Sequence, residues 1–421
     1  MRKNLAIAVF PLLVLGAVSA SGTSGFAAEK PAAAPVVSKP VGVLLDTARK
    51  QMIANDYVAA KSTVLQAQAL PGRTATDDYE IQNFLGNIAV KQNDHASAEI
   101  AYDAMAESPA IPDSEKAATF RIAALLATEA KHFDLGIKYG KAFIALGGPP
   151  DDSVLAAVAE SYFFKNDYVN AEIFGKQAIA SPLEGKSPNQ GALDAVFASQ
   201  LKLKKDAEAL NTLETLVTYY NDPDNWGQLI DVALGIKGIK DIEALDLYRL
   251  RLATKASAQA EDYSLMAQLA LTNGYPIEAQ TILELGIASG KLSNNGKIAA
   301  QLTEARGRAA KDRASLASFE AAAVKSASGD LDVKLGETYF GYGRYADAVA
   351  AARRGLGKGG AKTDPNEANM VIGMALAMQG NSADALAAFS NVKGGDAATT
   401  KVQHLWSLYA GRKYATSAVA H

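Results

Sequence analysis

A small residue that recurs at a nearly fixed spacing constrains the fold of this chain more than any other feature. Ala or Gly follows a short turn-like segment at ten positions, 34 to 38 residues apart. These anchor positions are Ala60, Ala98, Gly136, Ala171, Ala209, Ala244, Ala279, Ala314, Ala348 and Ala385. Twelve residues before seven of the ten anchors stands another Ala or Gly. A period of this length predicts a repeat architecture, in which each unit buries its apolar face against its neighbours.

Each unit predicts two helices joined by a short turn. The fullest copies contain Leu or Ile before Gly in the first helix, then a polar or Gly turn, then the anchor; they run from Leu85 to Ala98, Leu335 to Ala348 and Ile372 to Ala385. These residues resemble the tetratricopeptide repeat, a helix–turn–helix unit of about 34 residues. The resemblance implies an all-α, right-handed α-solenoid of about ten repeats. Its small residues let the two helices of a unit approach closely.

The repeats are expected to occupy residues 41–395. The register is least well defined in the units around Ala244 and Ala314. Residues 396–421 are expected to form a C-terminal capping helix and tail, because Val402, Leu405 and Trp406 stand at helical spacing. An apolar content of 49% is sufficient for a large core, and no segment shows the alternation typical of strands.

The N-terminus predicts an export signal. A basic start at Arg2 and Lys3 precedes a short apolar run and then small residues, so residues 1–28 read as a signal peptide cut after Ala20 or after Ala27/Ala28. Residues 29–40 are rich in Pro and Ala and predict an extended linker. We expect an exported protein of the bacterial periplasm, or a secreted one, without stable membrane insertion after cleavage. An uncleaved N-terminal anchor is the alternative.

Composition argues against several function classes. The chain has no Cys, which excludes disulfides, thiolate metal sites and Cys nucleophiles. Its net charge of -3 argues against a general nucleic-acid binder, which needs a basic surface. His95 and His132 fall at turns and have no carboxylates at metal-ligand spacing. We therefore predict no catalytic residue, no metal and no cofactor, and a protein that is not an enzyme.

One sequence motif supports a competing hypothesis of nucleotide binding. The segment from Ala180 to Ser187 fits a relaxed phosphate-loop pattern that ends in Gly185-Lys186-Ser187. Such a loop needs a preceding strand and a helix that follows at once. A helix is expected before this segment, and Pro182 and Pro188 flank it. We interpret it as a loop between repeats.

The tetratricopeptide resemblance implies that ligands bind in a concave groove lined by the second, fifth, ninth, twelfth and thirteenth positions of each unit. In the first half of the chain these positions hold the polar residues Asn83, Asn87, Lys91 and Arg121. They look like part of the family's carboxylate clamp, in which Asn and basic groups bind the acidic end of a peptide. A solvated helix face is the alternative interpretation.

A second candidate patch is apolar. Met370, Met374 and Met378 lie on one stripe of the first helix of the last unit. Phe340 occupies a groove position of the preceding unit. Flexible Met surfaces suit adaptable peptide binding. The alternative is that the helix containing Trp406 covers the stripe.

These patterns predict a non-enzymatic scaffold or adaptor of the cell envelope that binds a protein or peptide partner. The alternative is a solenoid that binds carbohydrate or lipid in polysaccharide export or envelope assembly; exposed Trp226 and Phe163 would favour it, and burial would count against it. A self-associating structural protein is a third possibility.

Overall fold

The computed structural model describes residues 36–181 and 186–413, and within these residues the regular structure is entirely α-helical. The proposed signal peptide, residues 29–35 of the proposed linker, part of the phosphate-loop-like segment and the end of the tail lie outside them. The chain divides into two compact units, residues 1–206 and 207–421. Each is considered by itself. No helix in the described ranges combines the length and the apolar character needed to cross a bilayer.

The first unit contains nine helices within its described residues. They are α1 (Lys39–Ile53), α2 (Tyr57–Gln68), α3 (Ala75–Lys91), α4 (His95–Ala106), α5 (Asp113–Glu129), α6 (Phe133–Ala145), α7 (Asp152–Phe164), α8 (Tyr168–Ala180) and α9 (Gln190–Lys202). The first eight form four hairpins of consecutive helices, and α9 packs on α7 and α8. Tyr79, Phe84 and Tyr139 are almost completely buried between neighbouring hairpins.

The second unit contains eleven helices among the residues described. They are α10 (Asp206–Tyr219), α11 (Pro223–Leu234), α12 (Asp241–Ala253), α13 (Ala260–Thr272), α14 (Pro276–Ala288), α15 (Gly296–Lys325), α16 (Asp330–Gly341), α17 (Tyr345–Lys358), α18 (Pro365–Met378), α19 (Ser382–Ser390) and α20 (Ala397–Ala410). Helices α11 to α14 and α16 to α19 form four hairpins, and α15 packs on α14 and α16.

The turns within the repeats explain where the second helices begin. The residue five positions before the anchor has a positive φ in eight units; these residues are Asn55, Asn93, Lys131, Asn166, Lys204, Gly274, Gly343 and Gly380. Gly and Asn adopt this left-handed conformation at the lowest cost, so they stop one helix and redirect the chain. Asp56, Asp94 and Asp167 then cap the next helix by accepting a main-chain N–H. Nine of the ten anchors are the fourth residue of such a helix.

The prediction of a helix–turn–helix unit around Ala314 is wrong. Residues 296–325 form one continuous helix of 30 residues, α15, and Ala314 lies in its middle. The position that forms the left-handed turn in other units is Ala309, which is buried in this helix. Because Ala has no backbone-bonding side chain and is the strongest helix former, nothing interrupts the helix there. The register of the Ala244 unit is as predicted, since α12 begins three residues before Ala244.

Small residues do allow close helix approach within the hairpins. A Cβ added to Gly373 of α18 would lie 2.4 Å from Cε1 of Phe389 in α19. A Cβ on Gly86 of α3 would lie 3.0 Å from the ring of Tyr102 in α4. The aromatic ring therefore takes the space that a larger side chain would need.

The C-terminal helix closes the second unit on itself. The predicted capping helix is present as α20, and it packs on α18 and α19, which precede it in the chain. It also packs on α11 and α12, near the start of the same unit. One helix thus contacts both ends of the unit, so residues far apart in sequence share one interior.

Candidate functional site

The interior of the second unit contains a cavity of about 520 Å³. Its walls come from the start of α12, the turn before α14, the side of α16 that carries Lys334 and Glu337, the first three turns of α18 and the start of α20. A volume of this size lies within the range of small-molecule and side-chain binding sites. The cavity is therefore the candidate functional site.

One wall of the cavity is apolar. Met370 and Met374 of α18 line it, and both are buried, with Met374 only 1% exposed. Val402 of α20 and Tyr275 before α14 complete this wall. Met side chains are unbranched and polarisable, so such a wall adapts to the shape of an aliphatic ligand.

The remaining lining is strongly acidic. It contains six carboxylates, Glu243, Asp246, Glu337, Asp364, Glu367 and Asp396, and two ammonium groups, Lys240 and Lys334. Carboxyl groups therefore outnumber ammonium groups in the lining. Such a cavity attracts cations and repels anions.

The carboxylates nearest the ends of α12 and α20 already have partners. Glu243 accepts hydrogen bonds from the main-chain N–H of Lys240 at 2.9 Å and from the Thr399 hydroxyl at 2.6 Å. Lys240 Nζ donates to Asp396 at 2.9 Å and to Glu243 at 3.2 Å. These contacts join α12 to α20 and leave little capacity for a ligand.

Asp364 and Asp246 also accept hydrogen bonds from groups of the same unit. Asp364 caps α18 by accepting from the main-chain N–H groups of Asn366 and Glu367. Asp246 accepts from Nη1 of Arg249 at 2.8 Å, and the same guanidinium makes two bonds to Glu278, at 2.6 and 2.8 Å.

The guanidinium of Arg249 is buried beneath the cavity. Its carbon lies 4.9 Å from the ring centre of Phe340 and 5.4 Å from that of Tyr275. Opposite charges on both sides and aromatic faces above keep this group ionised in a dry interior. Arg249 therefore supports the cavity floor.

Glu337 and Glu367 are the carboxylates with the fewest partners in the cavity lining. Glu337 of α16 is 3% exposed, whereas Glu367 of α18 is exposed to solvent. Burial raises the pKa of Glu337 well above its usual range, and the neighbouring charge of Glu367 raises it further. A buried acid beside a second carboxylate needs either a shared proton or a bound cation.

Two cations act on this pair: the buried charge of Arg249 lowers the pKa of Glu337 in part, and Lys334 contacts Glu337 directly. Its Nζ lies 3.4 Å from Oε2 of Glu337 but makes shorter contacts elsewhere, at 2.6 Å to the Tyr275 hydroxyl and 3.1 Å to the Asn273 carbonyl. The ammonium also lies 4.4 Å from the centre of the Tyr275 ring. Burial lowers the pKa of Lys334.

Two residues of the predicted apolar patch line the cavity, and the other two lie outside its lining. Met370 and Met374 line the cavity, and α20 packs on the helix that carries them. Phe340 is buried against Arg249 and Tyr345. Met378 is half-buried and lies outside the cavity lining.

The predicted polar patch lies in the first unit, where most of its donors have internal partners. Asn87 is 7% exposed, and its Nδ2 donates to the main-chain carbonyl and the side-chain oxygen of Asn83 at 2.8 and 2.7 Å. Nε of Arg121 donates to Asp151 at 2.7 Å. Lys91 is exposed. An acidic peptide end would have to displace Asp151, and the clamp stays a prediction.

Sequence reasoning missed Glu337 and Glu367, although its own rule points to them. They stand at the ninth position of the Ala348 unit and the second position of the Ala385 unit. Both are groove positions in the resemblance described above. Their acidity was the available signal; their proximity depends on how α16 and α18 pack.

Other sequence candidates have structural explanations. Trp226 is fully buried and packs edge-on against Tyr409, and Phe163 is half-buried against Phe164 and Tyr168. This burial counts against the carbohydrate-binding alternative. Among the described residues no three His, Asp or Glu side chains converge in a way that could hold a metal ion.

Comparison with known proteins finds similarity to solved structures at low sequence identity. No family model and no curated protein matches the chain. Among solved structures it is similar to a tetratricopeptide repeat protein from Parabacteroides merdae, at 12% identity, with a TM-score of 0.30 over 80% of this chain and 100% of the other. It is also similar to the APC/C hetero-tetramer Cut9-Hcn1, at 13% identity with a TM-score of 0.23 over 88% and 72% of the two chains.

A third solved structure is the P58(IPK) TPR domain, at 11% identity with a TM-score of 0.23 over 88% of this chain and 98% of the other. These values concern the fold alone. The helix hairpins, their turns and the small residues between their helices show the architecture by themselves: the described residues form repeated α-helical hairpins.

Proposed function

We propose that this chain is a non-enzymatic adaptor that binds a peptide or protein partner in the bacterial cell envelope. Helical repeats of this type commonly present extended binding surfaces rather than reacting groups. The observation that carries the proposal is the cavity of the second unit. It combines an adaptable apolar wall at Met370 and Met374 with a carboxylate pair at Glu337 and Glu367.

The chemistry of the cavity suits recognition. Its polar side chains are carboxylates, ammonium groups and amides, and most of them hold each other in place. A binding site needs an apolar surface for affinity and a few fixed polar groups for specificity. The cavity offers both, and Glu367 at its exposed edge is accessible to a partner.

The N-terminal sequence supports the envelope location. Residues 1–28 have the basic start, apolar run and small-residue exit of an export signal. The Pro-rich residues that follow would form an extended tether between the export signal and the repeats. N-terminal sequencing of the protein purified from periplasmic extract tests this part; an N-terminus at Ser21, Ala28 or Glu29 is expected, and an intact Met1 in the cytoplasmic fraction contradicts it.

A peptide array tests the binding function. The purified protein is labelled and applied to an array of unrelated peptides, together with the variants Met370→Ser/Met374→Ser and Asn87→Ala/Arg121→Ala. We expect saturable binding to a subset of peptides that the first variant weakens and the second retains. Circular dichroism shows whether each variant remains helical.

Two outcomes contradict parts of the proposal. If the Asn87→Ala/Arg121→Ala variant loses binding and the Met variant keeps it, the partner binds the first unit and the cavity is not the site. If no peptide binds saturably, the adaptor function itself is wrong.

A further inference from the structure

We propose that the cavity of the second unit recognises a cationic nitrogen at the end of an aliphatic stem, as in a Lys or Arg side chain of a partner peptide. This inference rests on the proposed function and names the chemistry of the partner. A free alkyl diamine presents the same group, so the experiment includes both sources.

The carboxylates available to a ligand are Glu337 and Glu367. The other four carboxylates of the lining bind Lys240, Arg249 or helix N-termini within the unit. For Glu337 the donor given by the described contacts is Lys334, at 3.4 Å. A charged donor placed between the two carboxylates would replace this long contact with two short charge-assisted hydrogen bonds.

Burial makes this pair selective for a cation. Glu337 is only 3% exposed, and the carboxylate of Glu367 lies next to it. A neutral ligand or an anion supplies no positive charge that could replace a proton shared by the two groups. A bound cation replaces it, because each carboxylate then faces an opposite charge.

The stem of the ligand would lie along the Met residues. Glu367, Met370 and Met374 stand at i, i+3 and i+7 on α18, so one face of this helix carries a carboxylate followed by two Met side chains. The rise of a helix places Met370 about 4.5 Å and Met374 about 10 Å along the axis from Glu367. Met370 therefore lies within reach of a stem whose charged head contacts Glu367, and Met374 extends the same apolar face.

Lys334 shows that the cavity wall accommodates such a group. Its ammonium lies over the ring of Tyr275 and bonds to the hydroxyl of the same residue. Its aliphatic carbons start from α16, one turn before Glu337. Its shortest bonds go to Tyr275 and Asn273, and its contact with Glu337 is longer, at 3.4 Å.

Calorimetric titration with matched ligands tests the inference. The ligands are end-blocked pentapeptides Gly-Gly-X-Gly-Gly, with X as Lys, Arg, norleucine or Glu, and free 1,5-diaminopentane. Norleucine keeps the stem of Lys and removes the charge. We expect the Lys or Arg peptide to bind at least tenfold more tightly than the norleucine peptide, and the Glu peptide not to bind. Equal binding of the norleucine and Lys peptides overturns the inference.

Charge-neutral variants locate the binding group. Glu367→Gln and Glu337→Gln are each expected to weaken the Lys or Arg peptide at least tenfold. Glu261→Gln, an exposed residue of α13 outside the cavity lining, changes the net charge equally and is expected to change binding less than twofold. If all three variants weaken binding equally, the effect is one of overall charge and the cavity is not the site.

The results also separate this inference from the proposed function. If array peptides bind but show no preference for Lys or Arg, the inference is wrong and the adaptor function stands. If diaminopentane binds and no peptide does, the cavity recognises a cationic nitrogen but the protein is not a peptide adaptor.

Discussion

The indole Nε1 of Trp406 donates a hydrogen bond of 3.0 Å to the main-chain carbonyl of Asp246, 160 residues earlier in the chain. Trp406 is fully buried, and Asp246 lies between the cavity and the guanidinium of Arg249. The bond therefore joins α20 to α12 at the floor of the cavity. Because Asp396, Thr399 and Val402 of the same C-terminal segment line the cavity, its shape depends on this closure.

Replacement of Trp406 should weaken the closure by a measurable amount. Trp406→Phe retains a ring but leaves the Asp246 carbonyl without its indole donor, so we expect a loss of about 1–2 kcal/mol in unfolding free energy. Trp406→Ala also creates a cavity and should cost about 3–5 kcal/mol. The chain has only two Trp, and both lie in the second unit, so urea unfolding followed by the fluorescence of Trp226 reports this unit in both variants.

Thr400→Ala is the matched control, because Thr400 is exposed on the same helix. It should change the unfolding free energy by less than about 0.5 kcal/mol. If Trp406→Ala is equally mild, α20 contributes little to the stability of the second unit and the closure is not what maintains the cavity.

A second connection across the closure should make the second unit sensitive to acid. Glu214 of α10 accepts hydrogen bonds from Lys401 at 2.8 Å and from His404 at 2.9 Å. Burial by itself would raise the pKa of Glu214, but the hydrogen bonds from His404 and Lys401 outweigh it and lower the pKa to about 2. A carboxylate with a lowered pKa stabilises the fold at every pH above its unfolded value.

This stabilisation is therefore present above about pH 4.5 and is lost as the pH falls toward 2. We expect it to be about 2 kcal/mol, a conservative value for a side chain that keeps some exposure. Urea unfolding of the wild type and of Glu214→Gln at pH 7 and pH 3 measures it: the difference between the two proteins should shrink at pH 3. Glu208→Gln, on the exposed face of α10, should show no such change, and an undiminished difference for Glu214→Gln at pH 3 contradicts the assignment.

Much of the repeat pattern could be read from the sequence because its signals are local. A left-handed residue such as Asn55 or Asn93, an Asp cap and a small anchor lie within six residues of one another, and together they determine where a helix begins. The prediction of a unit around Ala314 was wrong for a local reason as well, because Ala309 does not form such a turn. The anchor alone was insufficient, since Ala is common throughout this chain.

The closure and the cavity could not be predicted because they depend on long-range packing. Trp406 was predicted to lie on a capping helix, but nothing in the repeat pattern indicates that its partner is Asp246. In the same way, Glu337 and Glu367 belong to different units, and their proximity follows from the packing of α16 against α18. Periodicity identifies the face of a helix and leaves its distant neighbours undetermined.

Removal of the guanidinium beneath the cavity should be strongly destabilising. Arg249 is buried between Asp246 and Glu278, so Arg249→Gln leaves two buried carboxylates without a counter-charge and should cost about 3–5 kcal/mol. Arg306→Gln breaks an exposed pair with Glu284 in the same unit and should cost less than about 1 kcal/mol. Urea unfolding followed by Trp fluorescence compares them, and equal costs would show that the buried cluster contributes no more than a surface pair.

Two Gly→Ala substitutions should change stability in opposite directions. A Cβ at Gly373 would lie 2.4 Å from Phe389, so Gly373→Ala forces α18 and α19 apart and should cost about 1–3 kcal/mol. Gly307 lies inside α15 with no heavy atom within 4 Å of an added Cβ, so Gly307→Ala should add about 0.5–1 kcal/mol by reducing the freedom of the unfolded chain. The same fluorescence-detected unfolding measures both. A stabilising Gly373→Ala would contradict close packing at the small residue of the repeat, and a destabilising Gly307→Ala would show that α15 is not one continuous helix at this position.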